Sequence, residues 1–191
     1  YSIFFSPLTK ILPTLLEAIQ RKKKVWFVYT SFIKGQGKPR KVSPLFLKEY
    51  RNRWYLISYD PSQNDIRTYA LDRMEDPKIL EDEQVTPKGF DADTYFQNAM
   101  GITSYKGEAK KIILKADEIA SKYIKSQPIH HSQEILEEAE NGTYFEFKLL
   151  LSEELIRTLL SYGGEIEIIE PAELKTALTE RILAMKKRYN L

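Results

Sequence analysis

The residues of this chain best suited to chemistry are four arginines, Arg40, Arg53, Arg67 and Arg73, interleaved with three tyrosines, Tyr29, Tyr55 and Tyr69. A guanidinium fork matches two phosphate oxygens at once and its plane stacks on a base, while a tyrosine ring offers a platform on which a base can lie. The seven side chains fall on consecutive β-type stretches, so a small bent sheet would gather them on one surface. Ser31 points the same way as Tyr29 along the first of these stretches. The pattern therefore suggests a site for a nucleotide or a short single strand of nucleic acid. The competing reading is that each arginine only pairs with a neighbouring acid, for which Asp72 and Glu75 are at hand. Trp54 and Leu56 share one strand face and belong to the core, whereas Tyr55 on the other face is either a second core residue or a stacking platform.

Other chemistries find little support. With no cysteine in the chain, disulfides, thiolate nucleophiles and thiolate zinc sites are excluded. His130 and His131 are adjacent and, on a strand from His131 to Glu138, would point to opposite faces, the wrong geometry for a shared metal. Asp91 with Asp93, and the acids from Glu137 to Glu140, lie in polar stretches without a Gly-rich loop, H-E-x-x-H or P-loop spacing, and read as solvated faces. The expectation is a protein that is not an enzyme, with no metal and no cofactor.

The elements that must hold these residues follow from periodicity. Leu12, Leu15, Leu16 and Ile19 recur at helical spacing, which predicts a helix to about Lys22 with Pro13 in its first turn. Val25 to Phe32 is β-branched and aromatic, Gly35-Gln36-Gly37 makes a turn, and Lys41 to Tyr50 reads as a long strand. Arg51-Asn52 is a tight turn, Trp54 to Tyr59 a strand, Asp60 to Asn64 a turn, Ile66 to Leu71 a strand, and Lys78 to Glu83 a fifth. One helix and five short antiparallel strands predict a small bent barrel over residues 1–84. Val85 to Lys106, with Pro87, Gly89 and Gly101, reads as a linker with a short helix at Asp91 to Ala99.

Residues 107–191 read as a second unit. Lys110 to Leu114 is a strand, Asp117 to Ile124 a helix, and Asn141-Gly142 joins a strand ending at Glu138 to one from Tyr144 to Leu151. Ser152 supplies a helix cap, Gly163-Gly164 stops that helix near Tyr162, and Glu165 to Ile169 is the last strand. After Pro171, Leu174, Leu178, Ile182, Met185 and Tyr189 stripe a terminal helix and are expected to pack on their own sheet. The order βαββαβα predicts a ferredoxin-like sandwich, so the whole chain is of the α+β class.

Composition adds partners. The 191 residues carry a net charge of only +2, yet residues 1–73 hold 14 Lys and Arg against 5 Asp and Glu. Such a basic first third favours an anionic partner, although Lys22-Lys23-Lys24 also suits a solvated helix end. The longest apolar run, Val25 to Tyr29, is far too short to cross a membrane, and no apolar signal segment opens the chain, so a cytoplasmic protein is expected. A first residue of Tyr1 rather than Met suggests a piece of a longer protein.

Arg40-Lys41-Val42-Ser43-Pro44, then Trp54-Tyr55-Leu56, then Arg67-Thr68-Tyr69-Ala70-Leu71-Asp72-Arg73-Met74 stand in an order and spacing that resembles the WYL-domain family of bacterial transcriptional regulators. Leu159-Leu160-Ser161-Tyr162-Gly163 followed by Glu170-Pro171 resembles the extension that follows that domain. The resemblance implies an Sm- or SH3-like barrel and ligand contacts at Arg40, Arg67 and Arg73, with Arg53 less characteristic of the family. Ala70 departs from the family, where an arginine is common, and removes one cation. The resemblance also implies a homodimer, and operator DNA contacted through a helix-turn-helix absent from these residues. The expected function is thus the ligand-sensing and dimerisation region of a regulator, its effector a nucleotide or single-stranded nucleic acid. A stand-alone single-stranded nucleic-acid-binding module without a switch is the alternative.

Overall fold

A computed structural model describes residues 5–32, 35–103 and 107–190, with side chains from residue 9 onward. It divides into two compact units, Tyr1–Tyr95 and Phe96–Leu191, and is of mixed α+β class.

The first unit runs α1 (Phe5–Gln20), β1 (Lys23–Thr30), β2 (Gly37–Tyr50), β3 (Arg53–Asp60), β4 (Asp65–Ala70), one 3-10 turn (Leu71–Arg73) and β5 (Met74–Glu83). Its five strands form one antiparallel sheet in the order β4-β3-β2-β1-β5. The 14-residue β2 serves two partners, pairing with β1 up to Val42 and with β3 from Ser43 onward. Pro44, which lacks an amide hydrogen, and a register shift between Pro44 and Phe46 mark the change. The expected closed barrel does not form. β4 and β5 end the sheet with no ladder between them among the described residues, because a 3-10 turn, not a two-residue hairpin turn, links them.

Ile11, Leu15 and Ala18 lay one face of α1 on Val25, Phe27, Val42, Leu56, Leu71 and Met74. The helix begins well before Leu12, which puts Pro13 in its interior rather than its first turn. At the β2–β3 hairpin Arg51 and Asn52 take φ of 50° and 60°, the left-handed pair that suits a two-residue turn between twisted strands. Asp60, nearly fully buried, accepts from the Ser62 amide (2.9 Å), the Ser62 hydroxyl (2.6 Å) and Gln63 Nε2 (3.0 Å), fixing the next turn. Beyond β5 the chain forms turns from Asp91, not the expected helix, and Phe90 stacks on Phe46 at 6.2 Å. Positions 104–106 of the expected linker lie outside the described residues.

The second unit runs β6 (Lys110–Ala116), α2 (Glu118–Ser126), β7 (Glu134–Ala139), β8 (Gly142–Leu149), α3 (Glu153–Leu160), β9 (Ile166–Glu170) and α4 (Ala172–Arg188). This is the order of elements anticipated from the pattern, and its antiparallel sheet is ordered β7-β8-β6-β9. Asp117 caps α2 by accepting from the Ala120 amide (2.8 Å), and Ser152 caps α3 through the Leu155 amide (3.2 Å). At the Asn141-Gly142 hairpin Gly142 has φ +131°, and a Cβ there would stand 2.1 Å from the Ala116 carbonyl oxygen, so only glycine fits.

Two expectations fail here. Only Leu174 and Leu178 of the α4 stripe reach the core, while Ile182, Met185 and Tyr189 are exposed, because the helix outruns the short strand β9 beneath it. His130 and His131 precede β7 in a turn instead of lying on a strand, and their rings lie 4.0 Å apart, tilted by 40°. Ser132 makes this turn: its hydroxyl accepts from the Lys148 amide (3.0 Å) and its own amide donates to His130 Nδ1 (3.2 Å).

Burial, and secondarily the His131 ring, lower the His130 pKa from 6.5 to about 4. As pH falls from 6.5 to 4 the unfolded chain takes up this proton and the folded one does not, so stability drops across that window and levels off below it. A nuclear magnetic resonance titration should find the His130 midpoint near 4, shifted part of the way upward in His131→Ala. A midpoint near 6.5 in the parent protein would contradict the packing of this turn.

Candidate functional site

The open end of the first unit's core is aromatic and cationic. Phe27, Tyr29 and Tyr69 meet edge to face, with centroids 5.2 Å apart for Phe27–Tyr69 and 4.8 Å for Tyr29–Tyr69. Register explains the arrangement. Phe27 on β1 stands opposite Arg40 on β2, and directly opposite residues share a face, so Arg40 continues the row begun by buried Val42. The Tyr29 hydroxyl accepts from the Ala70 amide at 3.3 Å, which joins β1 to the end of β4.

Two guanidinium groups flank the tyrosine pair. Arg73, at the end of the 3-10 turn, lies 5.4 Å over the Tyr29 ring and 4.4 Å over that of Phe32. Arg40 exerts a stronger cationic pull on the Tyr69 hydroxyl than Arg67 does. Arg40 and Arg73 are half-buried, and in both the Nε atom is buried without a hydrogen-bond partner among the described residues. Arg73 comes no closer to a carboxylate than 4.0 Å, from Asp72 Oδ1. A buried charged donor left open costs on the order of 1–3 kcal/mol, and such a group calls for an acceptor from outside. The phenols register the same surroundings. Burial pushes the Tyr69 pKa to about 12 against the opposing pull of Arg40, and burial raises that of Tyr29 against the pull of Arg73.

The remaining site candidates lie differently. Arg53 is exposed and pairs with Asp72 at 3.2 Å. Arg67 is exposed, pairs with Asp65 at 3.3 Å and donates to Gln63 Oε1 at 2.7 Å, on the same strand face as Tyr69. Each of these two thus has an acid partner in the structure, and Asp65 is an acid that the sequence did not single out. Tyr55 is buried, at 8% exposure, which favours the core over an open platform. Ser31 is half-buried beside Tyr29 on the chain, and its carbonyl accepts from the Gly35 amide at 2.9 Å. Ala70, the departure from the family pattern noted in the sequence, is fully buried. Phe32 was missed, although its place at the end of the aromatic strand was the available signal. Among the described residues no group of three His, Cys, Asp or Glu is placed to hold a metal ion.

Two family models match the chain, the WYL domain over residues 10–79 and the WCX domain over residues 108–186. A curated relative, an uncharacterized HTH-type transcriptional regulator YobV of Bacillus subtilis, is 27% identical over 181 residues, which is 90% of this chain and 53% of that protein. The chain thus spans about half the length of the curated relative it matches. A crystal structure of a CRISPR Cas-related protein matches 98% of this chain and 53% of its own, with a TM-score of 0.56 at 14% identity, a likeness of fold. Proteasome accessory factor B/C of Arthrobacter aurescens matches 93% of this chain and 27% of its own, with a TM-score of 0.43 at 22% identity.

An arginine retained for stability and one retained for a ligand respond oppositely to an apolar substitute. Arg40→Met removes a buried donor that has no partner and keeps the apolar stem, so melting temperature should stay the same or rise. A loss of more than about 2 kcal/mol in denaturant unfolding would mean that Arg40 serves the fold instead.

Proposed function

Because this chain belongs to the WYL-domain family of transcriptional regulators, with a WYL domain followed by a WCX domain, we propose that it is the ligand-sensing and dimerisation region of such a regulator. Its effector is a nucleotide or a short single strand of nucleic acid, held on the first unit by Arg40, Arg73, Tyr29 and Ser31, with Arg67, Arg53 and Tyr55 around them. The observation that carries this reading is the pair of buried Nε donors without partners beside the Tyr29–Tyr69 pair. Phosphate oxygens supply the missing acceptors, and Phe32, three-quarters exposed under Arg73, offers a face to a base. Arg67 and Arg53 would exchange their carboxylates for phosphate as the effector arrives. Strand order supports treating the first sheet as an opened Sm-type fold and the second unit as ferredoxin-like.

Such an effector switches the regulator only through unequal affinity for two states of the whole protein. Operator DNA is contacted by a helix-turn-helix outside these residues, in the cytoplasm. Ile182, Met185 and Tyr189, unpartnered on α4, support a seam with a second copy. A second reading draws on the cation excess of the first 73 residues: the unit itself is a single-strand-binding module without a switch.

Fluorescence anisotropy with labelled single-stranded DNA, RNA and dinucleotides over a salt series tests the site. Saturable binding that weakens with salt should fall about ten-fold or more in Arg40→Met and in Arg73→Met. Unchanged binding in both variants contradicts the site, and operator control by the full-length protein that ignores the ligand favours the module. Sedimentation velocity tests the seam: the parent should run as a dimer and Ile182→Lys as a monomer, and a monomeric parent removes α4 from the account.

A further inference from the structure

Strand β7 forms one edge of the second sheet, and its outer side is unpaired among the described residues. It is also open along its length, since every residue from Glu134 to Glu138 is exposed. Proteins blunt free edges with short strands, charged side chains, bulges or proline, since an unpaired row of amides and carbonyls invites another strand. β7 uses two of these devices, its three glutamates and the register shift after Ile135, yet it exposes two large apolar side chains, Ile135 and Leu136, each at 48%.

Register sorts the side chains of this edge. Ile135 stands opposite buried Phe145, hence on the core side, and a shift after it leaves Leu136 as an extra residue. Glu134 and Glu137 stand opposite Glu146 and Tyr144, on the other side of the sheet. Glu138 returns to the core side and pairs with Lys125 of α2 at 2.8 Å. That helix leaves Ile119 and Tyr123, one turn apart, 61% and 69% exposed. Glu134, Glu137 and Glu140 have no ion pair among the described residues.

We propose that the free edge of β7 is a docking strip for an extended segment of a partner protein in which basic and apolar residues alternate, added as a fifth strand. Main-chain hydrogen bonds to β7 supply affinity, and the two sides of the strip supply specificity. Basic residues of the incoming strand meet Glu134 and Glu137 on one side. Its apolar residues cover Ile135 on the other side. A second copy of β7 is disfavoured in the registers that set glutamate against glutamate, since like charges across a ladder destabilise it. The acids that keep this edge from self-association thus select a basic strand. This inference is independent of the effector site on the first unit.

The test uses the whole chain and three short fluorescein-labelled peptides, alternating Lys-Val, alternating Glu-Val and alternating Lys-Gly. Alternating Lys-Val should bind saturably, weaken with salt and slow hydrogen exchange at the amides of Glu134–Ala139. The exposed double variant Glu134→Lys/Glu137→Lys, checked for folding by circular dichroism, should bind it about ten-fold more weakly and gain affinity for Glu-Val. No saturable binding by the parent, equal binding of Lys-Gly, undiminished binding by the variant, or protection confined to other strands would each overturn the proposal.

Discussion

The first unit is organised by one long strand that cannot stay flat. β2 gives six of its 14 residues to β1 and the rest to β3, and the change of partner at Val42-Ser43 bends the sheet around α1. That bend decides which side chains share the concave side. Opposite Val25 and Phe27, β2 presents Val42 and then Arg40, so the row that begins as core ends as a cation at its mouth. The same bend brings Leu56 and Tyr69, paired across β3 and β4, into the cluster that holds Phe27. Ser43 is itself fully buried and its hydroxyl accepts from the Val85 amide at 2.9 Å, a tie that anchors the chain after β5 at the point of bending.

The electrostatics divide the arginines into two kinds. Arg53 and Arg67 sit in exposed pairs with Asp72 and Asp65, contacts that contribute little to stability because water screens them. Arg40 and Arg73 are half sunk among aromatic rings with a donor left open on each. Cation–π contact offsets part of the cost at Arg73, and the rest is tolerated at the edge of the core. A fold that keeps two such groups gains nothing in stability from their open donors, which is why they mark the site better than the paired arginines do.

Local chemistry was legible in the sequence, and long-range consequences were not. The Arg51-Asn52 and Asn141-Gly142 turns and the Ser152 cap rest on a few adjacent residues and stand where the pattern put them. Sheet closure could not be read, since it depends on where the 3-10 turn at Leu71–Arg73 delivers β5. The histidine turn was misplaced because contacts distant in sequence delay the start of the strand to Glu134: the Lys148 amide donates to Ser132, and Gln133 Nε2 donates to the Ile124 carbonyl. Within the site, residue types gave the arginines and tyrosines. Only geometry separates the two arginines with open donors from the two that are paired, and it adds Phe32.

In the proposed site the Nε–H groups of Arg40 and Arg73 donate to a phosphate oxygen of the effector. Arginine side-chain nitrogen–proton correlation spectra, recorded while a dinucleotide is added, observe those atoms directly. The account predicts that the Arg40 and Arg73 Nε–H signals shift together and saturate at one ligand concentration, ahead of any change at the other arginines. No shift at either residue, or equal small shifts at every arginine, would contradict it.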